Sequence, residues 1–426
     1  MPEHATTHYW DGMKTMFRTG WGTNDTMLSF TNQLLETASH KHKDALSFSM
    51  FAYGRFLLVD PGYGVITSGG WKEYNGSPVQ HNLVTVNDVE DFLTTGTNSS
   101  YDTIEYGTGQ YQLGFESNMI HDFKEYGTTA YKTNQDARRS ILFQRDDNFF
   151  IVSDYIIPND TNQSNLYAQH WHFYPGAQFS YDPGNFTLQT NITDEPNVKV
   201  VPVEYEEIDE VRRVRTTYSE KSGSLVNSEK GMILKKKTGL GRFTTVIVPT
   251  DIGEEIDVEA RTVETEYDPE IVNAATIRIK NNTTGKENMY YYFHLNEESQ
   301  KLESVRLGDF VTDASTMLVK LGSSGEIISG FMMNGSYIKN VNINGAYVIK
   351  TDKKVDSVSF AKRGGIMNMA SSTMSQDDIE KMTVNTLGAS SATFETCDWD
   401  RVINTEMVQV PLNVSKQGGY FYFGDE

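Results

Sequence analysis

Leu46-Ser47-Phe48-Ser49-Met50-Phe51-Ala52-Tyr53-Gly54-Arg55-Phe56-Leu57-Leu58 is the stretch that decides the fold class. Large apolar residues alternate with small ones at its start, the period of a strand with one buried face. Aromatic or β-branched runs of the same kind recur at 83–86, 140–143, 149–157, 243–248, 289–293 and 346–349. Turn chemistry separates them: Asp60-Pro61-Gly62-Tyr63, Asp182-Pro183-Gly184-Asn185, Asn334-Gly335 and Asn344-Gly345. Helical periodicity is scarce, and 377–382 is at best one short helix. No fixed repeat or low-complexity segment stands out. The expected architecture is all-β: a large multi-sheet antiparallel β-sandwich followed by a smaller C-terminal β domain. The polar stretch 296–304 is the expected boundary, giving domains 1–300 and 301–426.

Composition agrees. The chain has 426 residues, long enough for two or three domains, and 12% are aromatic. Thirty-four glycines against 11 prolines suit a β protein with many turns. The single cysteine, Cys397, excludes an intrachain disulfide and a Cys-based zinc site, and reads as a small buried hydrophobe. A net charge of −20 argues against binding nucleic acid or an anionic membrane surface. It would also repel a polyanion at long range, so such a substrate needs a local basic pocket. No apolar run reaches the roughly 18–20 residues that span a bilayer. Met1-Pro2-Glu3-His4-Ala5 lacks the basic and apolar regions of a signal peptide, which is compatible with earlier removal of a signal or an upstream domain. The charged stretch 204–215 reads as an exposed hairpin or loop, and Lys235-Lys236-Lys237 as a solvated turn.

Chemical content concentrates just before and after the opening stretch. His40 and His42 precede it, Asp60 follows it at a sharp turn, and His81 opens the next run. In extended chain His40 and His42 share a face. They can share a metal, or one can bind metal while the other moves protons. Adjacent antiparallel strands could gather His42, Asp60 and His81. Two neutral imidazoles and a carboxylate are a normal Zn²⁺ set. The cupin pattern also uses His-x-His but needs a Glu shortly after; here Lys43-Asp44-Ala45-Leu46-Ser47 follows, and cupin is set aside.

Taken together, Arg18-Thr19-Gly20-Trp21-Gly22, Ser39-His40-Lys41-His42-Lys43-Asp44-Ala45-Leu46-Ser47-Phe48, Asp60-Pro61-Gly62 and His81-Asn82-Leu83-Val84-Thr85-Val86 resemble the heparinase II/III-like family. Arg138-Arg139-Ser140-Ile141-Leu142-Phe143, Val152-Ser153-Asp154 and His170-Trp171-His172-Phe173 extend the likeness. The resemblance implies a polysaccharide lyase that cleaves next to a uronic acid by β-elimination. It implies an N-terminal (α/α) toroid, then a β-sandwich, then a small β domain. It gives His40 the role of catalytic histidine and makes His42, Asp60 and His81 the ligands of a mainly structural zinc. It also implies an anionic polysaccharide or oligosaccharide as partner, heparan sulfate, another glycosaminoglycan or alginate, and a secreted or periplasmic bacterial setting.

A toroid has no counterpart in this sequence. The expectation is a piece of a longer enzyme, a toroid on a separate chain, or a sandwich with half a site. Tyr63 and Tyr74 are the candidate catalytic tyrosines. Arg18, Arg55, Lys72 and Asn82 are the candidate substrate contacts. His170 and His172 straddle Trp171 and read as hydrogen-bonded core histidines, with a second metal site as the alternative. A non-catalytic carbohydrate-binding or assembly subunit and a uronate C5-epimerase are the competing functions.

Overall fold

The structure is a computed structural model. It describes residues 8–10, 14–31, 42, 44, 46–62, 78–87, 107–116, 120–129, 136–158, 160–221, 224–296, 303–342, 346–371, 381–398, 406–409 and 413–423. Among these the chain is β throughout, with short 3-10 turns and no α-helix. No helix among them is long and apolar enough to cross a membrane. The helix expected over 377–382 falls largely outside the described residues, as do the turn at Asn344-Gly345 and the side chain of Cys397.

Two compact units divide the chain. The first comprises 1–112, 123–143 and 147–253; the second comprises 113–122, 144–146 and 254–426. This differs from the boundary expected at 296–304. The strands Val272–Asn281 and Glu287–Leu295 pair with each other, and Glu287–Leu295 pairs across the polar stretch with Thr316–Leu321. Strands on the two sides of that stretch are therefore sheet neighbours. Backbone hydrogen bonding, invisible in composition, keeps these strands in one sheet.

In the first unit, five strands form an antiparallel meander: His8–Trp10, Lys14–Arg18, Met27–Thr31, Phe48–Ala52 and Arg55–Leu58. The opening stretch is thus a hairpin, with Ala52 opposite Arg55. Its turn residues Tyr53 and Gly54 have φ of 51° and 91°. Positive φ at both positions matches the right-handed twist of the flanking strands, which is why a two-residue turn fits. A four-stranded sheet runs Glu210–Lys221, Ser224–Thr238, Ser164–His172, Val84–Val86. An eight-stranded sheet has Gly241–Thr250, Phe149–Ile157 and Asp136–Gln144 side by side near its middle.

The interior of this unit is aromatic. Phe143 and Phe150 stack at 4.3 Å, and Phe17 meets both edge-on at 6.3 and 6.5 Å. Phe48 lies edge-on to Trp171 at 5.9 Å. Edge and offset contacts of this kind add to the apolar area they bury. Beside them lies a charged pair. Arg139 is 1% exposed and Asp154 3% exposed. Their contact is bidentate, Nε to Oδ1 at 2.6 Å and Nη2 to Oδ2 at 2.9 Å. The Gln169 amide also donates to Asp154 at 3.0 Å, and Arg139 Nη1 donates to the carbonyls of Leu46 and Asn82. One ion pair inside the eight-stranded sheet therefore ties that sheet to the four-stranded sheet and to the loops around 46 and 82.

Three charged or polar expectations need correction. Lys235 is no solvated turn residue: it sits in Ser224–Thr238, 2% exposed, over the Phe243 ring and beside Glu204 and Glu207. In 204–215, Glu204 is buried and accepts from the Thr244 amide and hydroxyl, while Arg212 and Arg213 remain exposed on the strand Glu210–Lys221. Asn334-Gly335 lies inside the strand Ile327–Asn340 at a bulge, with Asn334 at φ 50°, because a Cβ on residue 335 would stand 2.5 Å from that of Ala314.

The second unit is one broad sheet running from Ile256–Thr262 through Glu287–Leu295, Thr316–Leu321, Ile327–Asn340, Ala346–Arg363 and Ile366–Ser371 to Ser391–Asp398 and Glu406–Gln409. Its pairings are antiparallel except Ile366–Ser371 with Ser391–Asp398. A side ladder adds Thr383–Asn385, Val414–Gln417 and Tyr420–Phe423.

Removing one member of the Arg139–Asp154 pair strands a buried charge. Asp154→Ala should cost about 3–5 kcal/mol of unfolding free energy, read by urea denaturation, whereas replacing both residues with apolar ones of similar volume should cost much less.

Candidate metal centre

His42, Asp60 and His81 converge. One ligand atom from each lies within 4.8 Å of those of the other two. The hairpin explains half of this. His42 precedes the strand Phe48–Ala52 and Asp60 follows Arg55–Leu58; because the strands are antiparallel, both residues leave from the end away from the turn. His42 itself is outside any strand, so strict alternation with His40 does not apply.

His81 arrives from another sheet, at the end of the 3-10 turn Pro78–Gln80 and ahead of Val84–Val86. Its neighbour Asn82 locks it in place. The buried Asn82 amide donates to the carbonyls of Phe48 (2.8 Å) and Val59 (3.1 Å), one on each side of the hairpin, and its oxygen accepts from the His172 amide at 2.7 Å. The backbone amide of Asn82 donates to Ser47 Oγ at 3.0 Å. From below, the buried Lys230 ammonium donates to the Val79 carbonyl, and the Thr216 hydroxyl donates to Gln80 Oε1.

Within the cluster, His81 Nδ1 lies 2.8 Å from Asp60 Oδ2, and Asp60 Oδ1 accepts from the Gly62 amide at 3.0 Å. Gly62 takes φ 72°, which a residue with a Cβ adopts only under strain. His42 and His81 rings are 5.3 Å apart. His81 is fully buried, and its Nε2 has no hydrogen-bond partner among the described residues. A buried imidazole nitrogen left this way costs free energy unless something coordinates it. Two imidazoles and a carboxylate with one such nitrogen suit a metal ion.

Electrostatics supports the same use. Burial pushes His42 down to about 4, helped by charge on His81 and opposed by Asp60, so His42 is neutral at pH 7. Burial would lower His81 too, but the charge and hydrogen bond of Asp60 outweigh it and raise His81 above the ordinary histidine value. Burial would raise Asp60, yet His81 and the Gly62 amide hold it below the usual carboxylate range.

The other expected residues fare differently. His40, Tyr63, Lys72 and Tyr74 lie outside the described residues. Asn82 is correctly placed beside the cluster, but its amide is buried and both its donors are spent on backbone carbonyls; the expected substrate contact is instead a structural clamp. Arg18 stacks on Trp21, 3.9 Å from the ring centre, with Nη2 on the Met16 sulfur. Arg55 starts its strand at the turn end of the hairpin, about 16 Å of strand rise from Asp60. There it pairs with Glu195 and lies over Tyr174, in an open cleft with Phe51, Tyr53 and Asp194. His170 Nε2 shares one hydrogen bond with the Thr85 hydroxyl and His172 Nε2 donates one to the Val79 carbonyl; burial, with Lys230 close by, pushes both imidazoles well below their ordinary value. They are core histidines. Sequence reading missed the work of Arg139 and Asp154, although the lone carboxylate inside the apolar run 149–157 was a signal that it must be paired.

A family model described as heparinase II/III-like, C-terminal, matches residues 13–284. A search of curated proteins found no match. Among solved structures, heparan sulfate lyase HepC from Pedobacter heparinus aligns at 16% identity and a TM-score of 0.55, covering 70% of this chain and 43% of that one. A heparinase III gene product aligns at 18% identity and 0.52, covering 68% and 42%. Another heparinase III aligns at 15% and 0.50. These likenesses are of fold, and the chain spans less than half the length of each of these proteins.

The cluster should take up one metal ion per chain, measured by equilibrium dialysis, and His81→Ala should abolish uptake. Because His81 carries a proton in the metal-free state to higher pH than an ordinary histidine, binding should release protons, and affinity should fall as pH drops through the His81 pKa. Asn82→Ala should weaken uptake by about 10–100-fold, the effect expected of a residue that holds a ligand in place.

Proposed function

This chain belongs to the heparinase II/III-like C-terminal family, and on that premise we propose that it is the sandwich portion of a zinc-containing lyase acting on a uronic-acid polysaccharide. The observation that carries the reading is the convergence of His42, Asp60 and His81, the residues that the family pattern marks as metal ligands. His40 stands two positions before His42 in the sequence and is the proposed proton-transfer residue.

The chemistry accounts for these residue types. The C5 proton of a uronate is weakly acidic, so its removal needs a positioned base and neutralisation of the adjoining carboxylate. Departure of the 4-oxygen needs an acid. A histidine and a tyrosine can divide these roles. A bound Zn²⁺ would be held by His42, Asp60 and His81 and would supply a structural tie between the hairpin and the His81 turn. Without it, the chain's own groups already fix the frame: Asn82 clamps the hairpin to the His81 turn, and Arg139 holds the loop ahead of the hairpin through the Leu46 carbonyl. The tyrosine opposite His40 is proposed to be Tyr63 or Tyr74 or to come from an (α/α) toroid on the same or a separate chain, and the residue that binds the substrate carboxylate to come from that toroid. Heparan sulfate and alginate are both compatible substrates, and the proposed setting is the periplasm or the outside of a bacterial cell.

A second reading is a non-catalytic carbohydrate-binding or assembly subunit. Turnover separates the two. The lyase reading expects ultraviolet absorbance from unsaturated uronate when heparan sulfate or alginate is supplied, alone or on addition of a toroid chain. It expects His40→Ala to keep metal and fold but to lower the rate by about 10²–10⁴, the usual worth of a general acid or base. Full activity in that variant removes His40 from the mechanism. Isomerised polymer without unsaturated ends would identify a C5-epimerase.

A further inference from the structure

On the second unit, a bulge gathers four residues that strict alternation would separate. In the strand Ile327–Asn340, Tyr337 and Lys339 lie two apart and share a face. Their cross-strand partners in Ala346–Arg363 are Lys350 and Tyr347. Those two are three positions apart, which in a regular strand puts them on opposite faces. The register shifts between Ile338 and Lys339, and this bulge turns Tyr347 and Lys350 to the same side. Ile338, Val348 and Ile349 are buried in the core of the unit.

The result is a ring with two cations over it. The Lys350 ammonium lies 5.1 Å from the Tyr347 ring centre and that of Lys339 lies 5.6 Å from it. Tyr337 meets Tyr347 edge-on at 5.8 Å. Neither lysine forms an ion pair among the described residues. Asp313, beside Tyr337, is already engaged by Ser336, the Tyr337 amide and Lys354. Asp352 is exposed on the same strand and pairs with neither lysine. The row continues sideways: Lys350 is opposite Thr383, and Thr383 opposite Tyr422, which is 40% exposed. Four strands at about 4.8 Å spacing make the row about 14 Å long.

Two ammonium groups at one ring repel each other, and an anion bound between them would relieve that repulsion. Aromatic faces beside unpaired ammonium groups suit a chain of sugar rings carrying carboxylates or sulfates, the rings on tyrosine and the anions on lysine. We infer that Tyr337, Lys339, Tyr347, Lys350 and Tyr422 form an anionic-polysaccharide-binding strip on the second unit, separate from the metal centre. The polysaccharide class rests on the proposed function above; the strip supplies a local basic site on an acidic chain.

The test measures binding of heparan sulfate, alginate and uncharged dextran to the full chain by calorimetry, with the lyase assay run on the same preparations. The parent should bind heparan sulfate or alginate but not dextran. Lys339→Ala with Lys350→Ala should weaken that binding at least about fivefold and flatten its salt dependence. Lys339→Arg with Lys350→Arg should retain it. Equal affinity in the parent and the double alanine variant, or no binding of either anionic polymer by the parent, overturns the strip. Lysine-dependent binding without unsaturated product, alone or with a toroid chain added, removes the proposed activity and leaves the strip standing; product release with lysine-independent binding does the reverse.

Discussion

The bidentate contact of Arg139 with Asp154 is the interaction on which the first unit depends. Burying a charge costs several kcal/mol, and only good geometry with further hydrogen bonds offsets it. Here the offset is complete on both sides. Asp154 takes Nε and Nη2 of Arg139 and the Gln169 amide, and the remaining guanidinium nitrogen serves the carbonyls of Leu46 and Asn82. Those two carbonyls belong to the loops that carry the metal-binding residues. The pair thus sets where the hairpin and the His81 turn sit relative to the central strands.

From that anchor the metal centre follows by simple geometry. A two-residue turn at Tyr53-Gly54 forces the two ends of the hairpin together, so residues near 42 and 60 are neighbours. Asn82 then spans both hairpin strands with one amide group. The same clamp leaves His81 facing Asp60 with its other nitrogen buried. An open cleft at the turn end, lined by Arg55 and Tyr174, is a distinct place on the same hairpin.

Much of this was legible. The runs that read as strands are strands, and 149–157 matches the observed Phe149–Ile157 end to end. The likeness of the His40–His81 region to one family located the three residues that converge. What could not be read has a common cause. Whether Lys235 is solvated or buried depends on Glu204, Glu207 and Phe243, which come from other segments. Whether Asn334-Gly335 turns the chain or bulges it depends on Ala314. Whether 296–304 divides domains depends on Glu287–Leu295 pairing with Thr316–Leu321.

The sequence by itself determined the all-β class and most strand positions, because period and turn residues are local properties of the chain, while the group His42, Asp60 and His81 was marked out only by the resemblance to a family. Tertiary structure alone decided that Asn82 is a clamp with no amide left for a ligand, that Arg55 belongs to the far end of the hairpin, and that Tyr347 and Lys350 share a face. Each of those depends on register and on which strand lies alongside, and hydrogen bonding between distant segments fixes that.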